Sequence, residues 1–135
     1  GYHALERWTR IASDCQAPLS YADHYVVEQP RQGGQGRTPR PLIDYQLGSI
    51  RDDFAMGSVL LVRTADLQEY VRTTSSHNYQ HAALYDLRLF LSRKQLPTHI
   101  KEFLYTVVDH FKLEFLEVDA FLLLDAEGTL AVKHE

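Results

Sequence analysis

One cysteine, one methionine and one tryptophan stand among the 135 residues of the chain. A lone cysteine, Cys15, excludes an internal disulfide framework and a thiolate metal cluster, because each needs more than one thiol. A reducing, cytoplasmic setting is expected. Long apolar runs are also missing. The longest lie at residues 59–62 and 121–124, far short of the roughly 20 residues that cross a bilayer as a helix, so no membrane span is expected. Basic density is low: 14 Lys and Arg stand against 18 Asp and Glu, for a net charge of -4. Arg31, Arg37 and Arg40 are scattered, so the electrostatic footprint of a nucleic-acid binder is absent and nucleic acid is not an expected partner. The chain starts at Gly1 with no signal-peptide pattern behind it, which fits a sequence that begins inside a longer protein or after a removed tag.

The composition is that of an ordinary globular protein, 44% hydrophobic and 24% charged, enough for one domain, or part of one, with a buried core. Leu5, Trp8, Ile11, Ala12 and Cys15 recur at three- and four-residue spacing, with Glu6, Arg7, Arg10 and Asp14 opposite. This predicts an amphipathic helix over residues 2–16, stopped by Ala17-Pro18. Residues 19–28 are rich in Tyr and Val and free of Gly and Pro, the composition of a strand, with Asp23 and His24 at its middle. Residues 29–41 hold three Gly and three Pro and predict a loop or hairpin tip. A short irregular or extended passage then leads to the acidic pair Asp52-Asp53, the turn Gly57-Ser58 and an apolar strand over residues 58–63.

Thr64 is placed as the cap of a short helix carrying Asp66, Leu67, Tyr70 and Val71. The stripe Ala83, Leu84, Leu87, Phe90 and Leu91 predicts a third helix that Pro97 closes. Residues 103–108 predict a strand, and residues 121–132 two more around a Gly-containing turn. No internal repeat is present. The order of elements predicts an α/β layer architecture, a mixed sheet with helices packed on it.

Several residues can carry chemistry, each with a plainer role open beside it. Asp52 and Asp53 are either a general base on a strand rim or a solvated turn whose carboxylates hydrogen-bond the backbone. His77 and His81 have the spacing of a helical zinc pair, but no glutamate lies between them and no third ligand is evident, so solvent-facing histidines suit the pattern as well. Asp23 and His24 are neighbours in a strand and must point to opposite faces. Either one faces a site or Asp23 hydrogen-bonds a nearby loop. Gly33-Gly34-Gln35-Gly36 lacks the Lys-Ser/Thr and the strand-to-helix context of a phosphate cradle. Tyr70, Tyr79, Tyr85 and Tyr105, with Phe90 and Phe103, form either a stacking floor for a sugar or base or simply core.

The stretch Leu42-Ile43-Asp44-Tyr45-Gln46-Leu47-Gly48-Ser49-Ile50-Arg51-Asp52-Asp53-Phe54, continuing into Gly57-Ser58-Val59-Leu60-Leu61-Val62-Arg63-Thr64, resembles bacterial family 2 glycosyltransferases. Tyr85-Asp86-Leu87-Arg88-Leu89-Phe90-Leu91-Ser92 and Phe103-Leu104-Tyr105-Thr106-Val107-Val108 are similar to a later helix and strand of the same family. The resemblance implies part of a nucleotide-diphospho-sugar transferase (GT-A) layer fold. Residues 1–110 would be its acceptor-side part, and residues 111–135 a C-terminal strand pair or extension.

It further implies inverting transfer of a sugar from a nucleotide-diphosphate donor to the hydroxyl of a glycan or lipid-linked acceptor. Asp52 and Asp53 would be the catalytic carboxylates, and Asp23, Arg51 and Asp86 would bind the acceptor. A divalent metal, magnesium or manganese, would bridge the donor phosphates. The family's Asp-x-Asp metal motif does not occur in the chain, so the metal's ligands are expected outside it, no metal-binding residue is assigned within it, and the chain alone is expected to be inactive. The competing expectation is a non-catalytic module that self-associates through its C-terminal strands.

Overall fold

The computed structural model describes residues 3–28, 36–46, 48, 55–74, 83–109, 120–124 and 130–134. The elements run α1 (Ala4–Asp14), β1 (Leu19–Glu28), β2 (Arg37–Arg40), β3 (Val59–Arg63), α2 (Thr64–Thr73), α3 (Ala83–Lys94), β4 (Thr98–Asp109), β5 (Ala120–Leu124) and β6 (Leu130–His134). This is a mixed α/β fold built on one mixed sheet. β1 is its centre: β4 pairs with it in parallel along its length, while β3 and β2 pair antiparallel with its first and second halves on the other side. Beyond β3 the sheet continues through β5, in parallel, to β6, antiparallel at the edge. None of the described helices is long and apolar enough to cross a membrane.

Enclosure on both sides and both faces explains the composition of β1, since Leu19 through His24 are all buried. Alternation divides them between two clusters. Leu19 and Tyr21 join Leu60, Val62, Leu87 and Leu91 on the face covered by α3, with Leu67 and Tyr70 of α2 packed against it. Ala22 joins Trp8, Ala12, Leu61 and Ile100 on the face covered by α1. Trp8 brings its one polar atom with it, the indole N–H donating to the buried Ser20 hydroxyl over 2.9 Å.

Five sequence expectations need correction. Cys15 is exposed rather than on the apolar side of α1. The helix ends at Asp14 in a Schellman arrangement: Ala17 N–H bonds the Ala12 carbonyl, Gln16 N–H bonds that of Ser13, and Gln16 takes φ 50°. Cys15 itself keeps helical dihedrals, with its N–H on the Ile11 carbonyl, and stands exposed where the chain leaves the helix at Gln16. Residues 37–40 are not loop but the edge strand β2, where Pro39 pairs with Tyr25, a place where a missing N–H costs nothing if it faces outward. β4 begins at Thr98, earlier than its β-branched run announced. Thr64 is the first residue of α2 and Arg63 its cap, with no side-chain capping bond. Val71, assigned to the apolar side of α2, is 60% exposed.

Asp66 takes up the work that the cap does not. Its buried carboxylate accepts from Arg63 over 2.5 Å and from Lys94 over 3.1 Å, and Lys94 also pairs with Glu69, so the end of β3, α2 and the end of α3 share one ion cluster. Burial pushes the Asp66 carboxyl up, and the hydrogen bonds from Arg63 and Lys94 more than reverse this, leaving it below its ordinary value. A depressed folded value means stability that is present above the unfolded value and lost as pH falls toward the folded one. Unfolding midpoints should therefore drop on acidification below about pH 3.9. In Asp66→Asn that dependence should flatten, as followed by Trp8 fluorescence in urea at a series of pH values.

Candidate functional site

A carboxylate in the middle of a buried strand must find partners, and those of Asp23 define the site. Asp23 is 5% exposed. Its Oδ1 accepts the Leu42 backbone N–H over 2.8 Å and lies 2.7 Å from His99 Nε2 on the neighbouring strand β4. The other ring nitrogen of His99, Nδ1, lies 2.6 Å from Asp44 Oδ1, and Asp44 Oδ2 pairs with Lys101 at 2.9 Å. Tyr21 completes the cluster. Its ring stacks on His99 at 4.8 Å and 4°, and its hydroxyl donates to the Ile43 carbonyl over 2.7 Å. Residues 42–44 are thus strapped across the β1–β4 pair by one backbone amide, one backbone carbonyl and one side chain.

The electrostatics follow from that packing. Hydrogen bonds from Lys101 and from His99 hold the Asp44 carboxyl below the usual carboxylate range. Burial raises the Tyr21 phenol well above its ordinary value, so it remains a hydroxyl donor.

On the opposite face of β1, His24 stacks on Tyr105 at 4.9 Å and 10°, and Tyr105 stacks in turn on Trp8 at 5.9 Å. The Tyr105 hydroxyl accepts the Ser58 backbone N–H over 3.1 Å. Gly57 sits directly against this group. With φ 78° and no room for a Cβ beside the Tyr105 hydroxyl, the position strongly favours glycine. Met56 beside it is wholly buried. The His24 Nδ1 atom has no hydrogen-bond partner among the described residues. Burial lowers the His24 pKa, with Arg40 adding to the effect and Asp23 opposing it.

Of the residues assigned from sequence, Asp23 lies at the heart of the cluster, and it and His24 face opposite ways, as alternation required. Asp86 is occupied elsewhere, accepting the Tyr70 hydroxyl over 2.8 Å between α2 and α3. Arg51, Asp52 and Asp53 lie outside the described residues, as do His77, His81 and Tyr79. The chain on either side of the acidic pair is described, however. Before it, residues 42–44 are bonded to Asp23, Tyr21 and His99; after it, Gly57 lies against the Tyr105 hydroxyl and Ser58 is bonded to it. Both attachments are made to the same pair of strands.

Sequence reasoning missed His99, Asp44 and Lys101, because nothing local marks a histidine in Leu-Pro-Thr-His-Ile as the partner of a carboxylate 76 residues away. Tyr25 was missed as well. It stacks on Phe103 at 4.6 Å and 27°, and Phe103, the alternative between core and platform, is 39% exposed. Of the other candidate aromatics, Tyr70, Phe90 and Tyr105 pack against the two cores, and Tyr85 is half-buried on α3. Among the described residues no group of three or more His, Cys, Asp and Glu side chains is arranged to hold a metal ion.

Two outcomes are expected. Gly57→Ala forces a left-handed conformation on alanine and a methyl group into the Tyr105 hydroxyl, and should cost at least about 2 kcal/mol in urea unfolding. For His24, the folded state refuses a proton that the unfolded chain accepts, so stability should fall as pH drops below about 6.5. The difference between the parent and His24→Phe, which keeps a ring on Tyr105, should grow between neutral and mildly acidic pH in thermal melts.

No protein-family model, no curated protein and no solved structure matches the chain.

Proposed function

We propose that the chain supplies the acceptor side of a nucleotide-sugar-dependent glycosyltransferase, with Asp52 and Asp53 presented to the acceptor hydroxyl. The observation that carries this is the double attachment of the segment bearing them. It leaves the β1–β4 pair beside Asp23 and His99 and returns to it beneath Tyr105. Precise placement is what base catalysis needs, because a carboxylate accepts a proton only within hydrogen-bond reach of it. Attaching the chain before and after the acidic pair to one strand pair limits the distance that the pair can lie from those strands.

In this scheme one of the two aspartates takes the proton of the acceptor hydroxyl as its oxygen attacks the donor's anomeric carbon from the face opposite the leaving group, which inverts that centre. The bond to the nucleoside diphosphate breaks, and the electron pair leaves with it. Asp23 and Arg51 belong to acceptor binding, Asp23 by orienting its neighbours rather than by direct contact, since its carboxylate is already engaged. Asp86, tied to Tyr70, would act by holding α3 against α2. A divalent cation, when bound, would neutralise the departing diphosphate; its ligands are not assigned to this chain.

The test is nucleoside-diphosphate release by the intact protein carrying this chain, with manganese, a panel of nucleotide sugars and simple glycoside acceptors. Asp52→Asn or Asp53→Asn should lower turnover by about 10²–10⁴-fold while donor binding, measured by calorimetry, stays unchanged. Absence of release from every donor, or full turnover in both variants, would refute the reading. The 135-residue chain alone should neither hydrolyse the donor nor bind it tightly.

A second reading draws on β6, which among the described residues pairs with β5 alone and ends the sheet. Exposed edges add strands from other chains, and self-association through the C-terminal strands would make the chain an interaction module. Light scattering separates the two: a ligand-free dimer without glycoside affinity speaks for the module.

A further inference from the structure

We propose that Phe103 and Tyr25, together with the Asp44–Lys101 pair, form a subsite for one pyranose ring of a neutral glycan. The proposal rests on the acceptor-side reading for its role in transfer, and on the geometry alone for binding.

Phe103 lies directly across from Asp23 in the β1–β4 register. Asp23 is buried, whereas Phe103 across from it is 39% exposed. Its ring is not loose, being stacked on Tyr25, so the two aromatics offer a rigid apolar surface. A pyranose matches such a surface with the flat side of its ring, where C–H bonds project, and keeps its hydroxyls at the edge for polar neighbours.

The polar neighbours are supplied by an irregularity in β4. Its register against β1 shifts between Ala22 and Asp23, so that Lys101 and Glu102 have no partner residue on β1. Bulges of this kind re-aim side chains, and here Lys101 reaches Asp44 while Phe103 remains opposite Asp23. Both members of the ion pair stay open to water, the Lys101 side chain 68% and that of Asp44 56% exposed. Each Asp44 oxygen uses one lone pair, on His99 or on Lys101, and keeps another; Lys101 gives one N–H to Asp44 and keeps two. An acceptor and a donor side by side suit adjacent sugar hydroxyls, each of which both donates and accepts.

The same pair argues against an anionic ligand. A phosphate reaching Lys101 would meet the Asp44 carboxylate, with the Asp23 carboxylate behind it. The subsite is therefore suited to the uncharged acceptor and not to the diphosphate of the donor. His99 is a positioning residue, fixing Asp44 from one nitrogen while Asp23 fixes it from the other.

The experiment is a heteronuclear NMR titration of the chain with the methyl glycosides of glucose, galactose and N-acetylglucosamine, and separately with uridine diphosphate. At least one glycoside should give saturable shifts at Tyr25, Asp44, Lys101 and Phe103. Phe103→Ala and Lys101→Ala should each weaken that binding about tenfold or more, and Phe103→Tyr should retain it, with the amide spectrum elsewhere confirming the fold of each variant. Three results would overturn the subsite: no saturable shift with any glycoside, shifts that survive Phe103→Ala, or shifts at these residues with the nucleotide instead. Failure of the two readings is distinguishable. Glycoside binding here without nucleoside-diphosphate release removes the transfer and leaves the subsite; transfer whose acceptor KM ignores Phe103→Ala removes the subsite and leaves the transfer.

Discussion

A carboxylate taken out of water needs hydrogen bonds from whatever surrounds it, and two partners among the described residues reach Asp23 in the sheet. One is a backbone amide from the segment after β2, the other a histidine from β4. Through these two bonds a single side chain sets the path of residues 42–44 and marks the point where β1 and β4 change register. The pair need not add much net stability, since desolvating two polar groups offsets much of their attraction. Its effect is on position: with the Tyr21 hydroxyl on the Ile43 carbonyl and Asp44 on His99 and Lys101, it ties the strap to the strands at that level.

The remaining polar groups are arranged around this constraint. His99 can serve Asp23 and Asp44 together because its ring is clamped by Tyr21, and Asp44 can stay exposed because Lys101 partners it from the bulge. On the far face, His24, Tyr105 and Trp8 form a stacked column against α1 that receives the chain again at Gly57 and Ser58. On the reading proposed above, the acidic pair between these two attachments would supply the carboxylates, and the sheet would supply the frame that they are joined to.

The residues differ in how openly the sequence announced them. β1 was legible to its ends, because ten residues of Tyr, Val and Leu without Gly or Pro leave little else to form. α3 was legible from its stripe. β2 was not, since Arg-Thr-Pro-Arg has no strand composition and is extended only because β1 offers it an edge. The early start of β4 was hidden for a similar reason: Thr98 to Ile100 are strand because they lie beside Ser20 to Ala22. Asp23 could be named as a candidate, while His99, Asp44 and Lys101 could not. Their significance is purely a matter of which strands become neighbours.

The sequence by itself determined the α/β class, the positions of the helices, the two-faced character of β1 and the glycine before β3. Those properties follow from periodicity and backbone sterics, which act over a few residues. Tertiary structure alone decided that β4 runs parallel to β1, that a bulge shifts their register at Asp23, and that a carboxylate, an imidazole, a second carboxylate and an ammonium group line up across two strands and a strap. Such contacts join residues 55 and 76 positions apart, and only long-range packing selects one partner from the many that the chain offers.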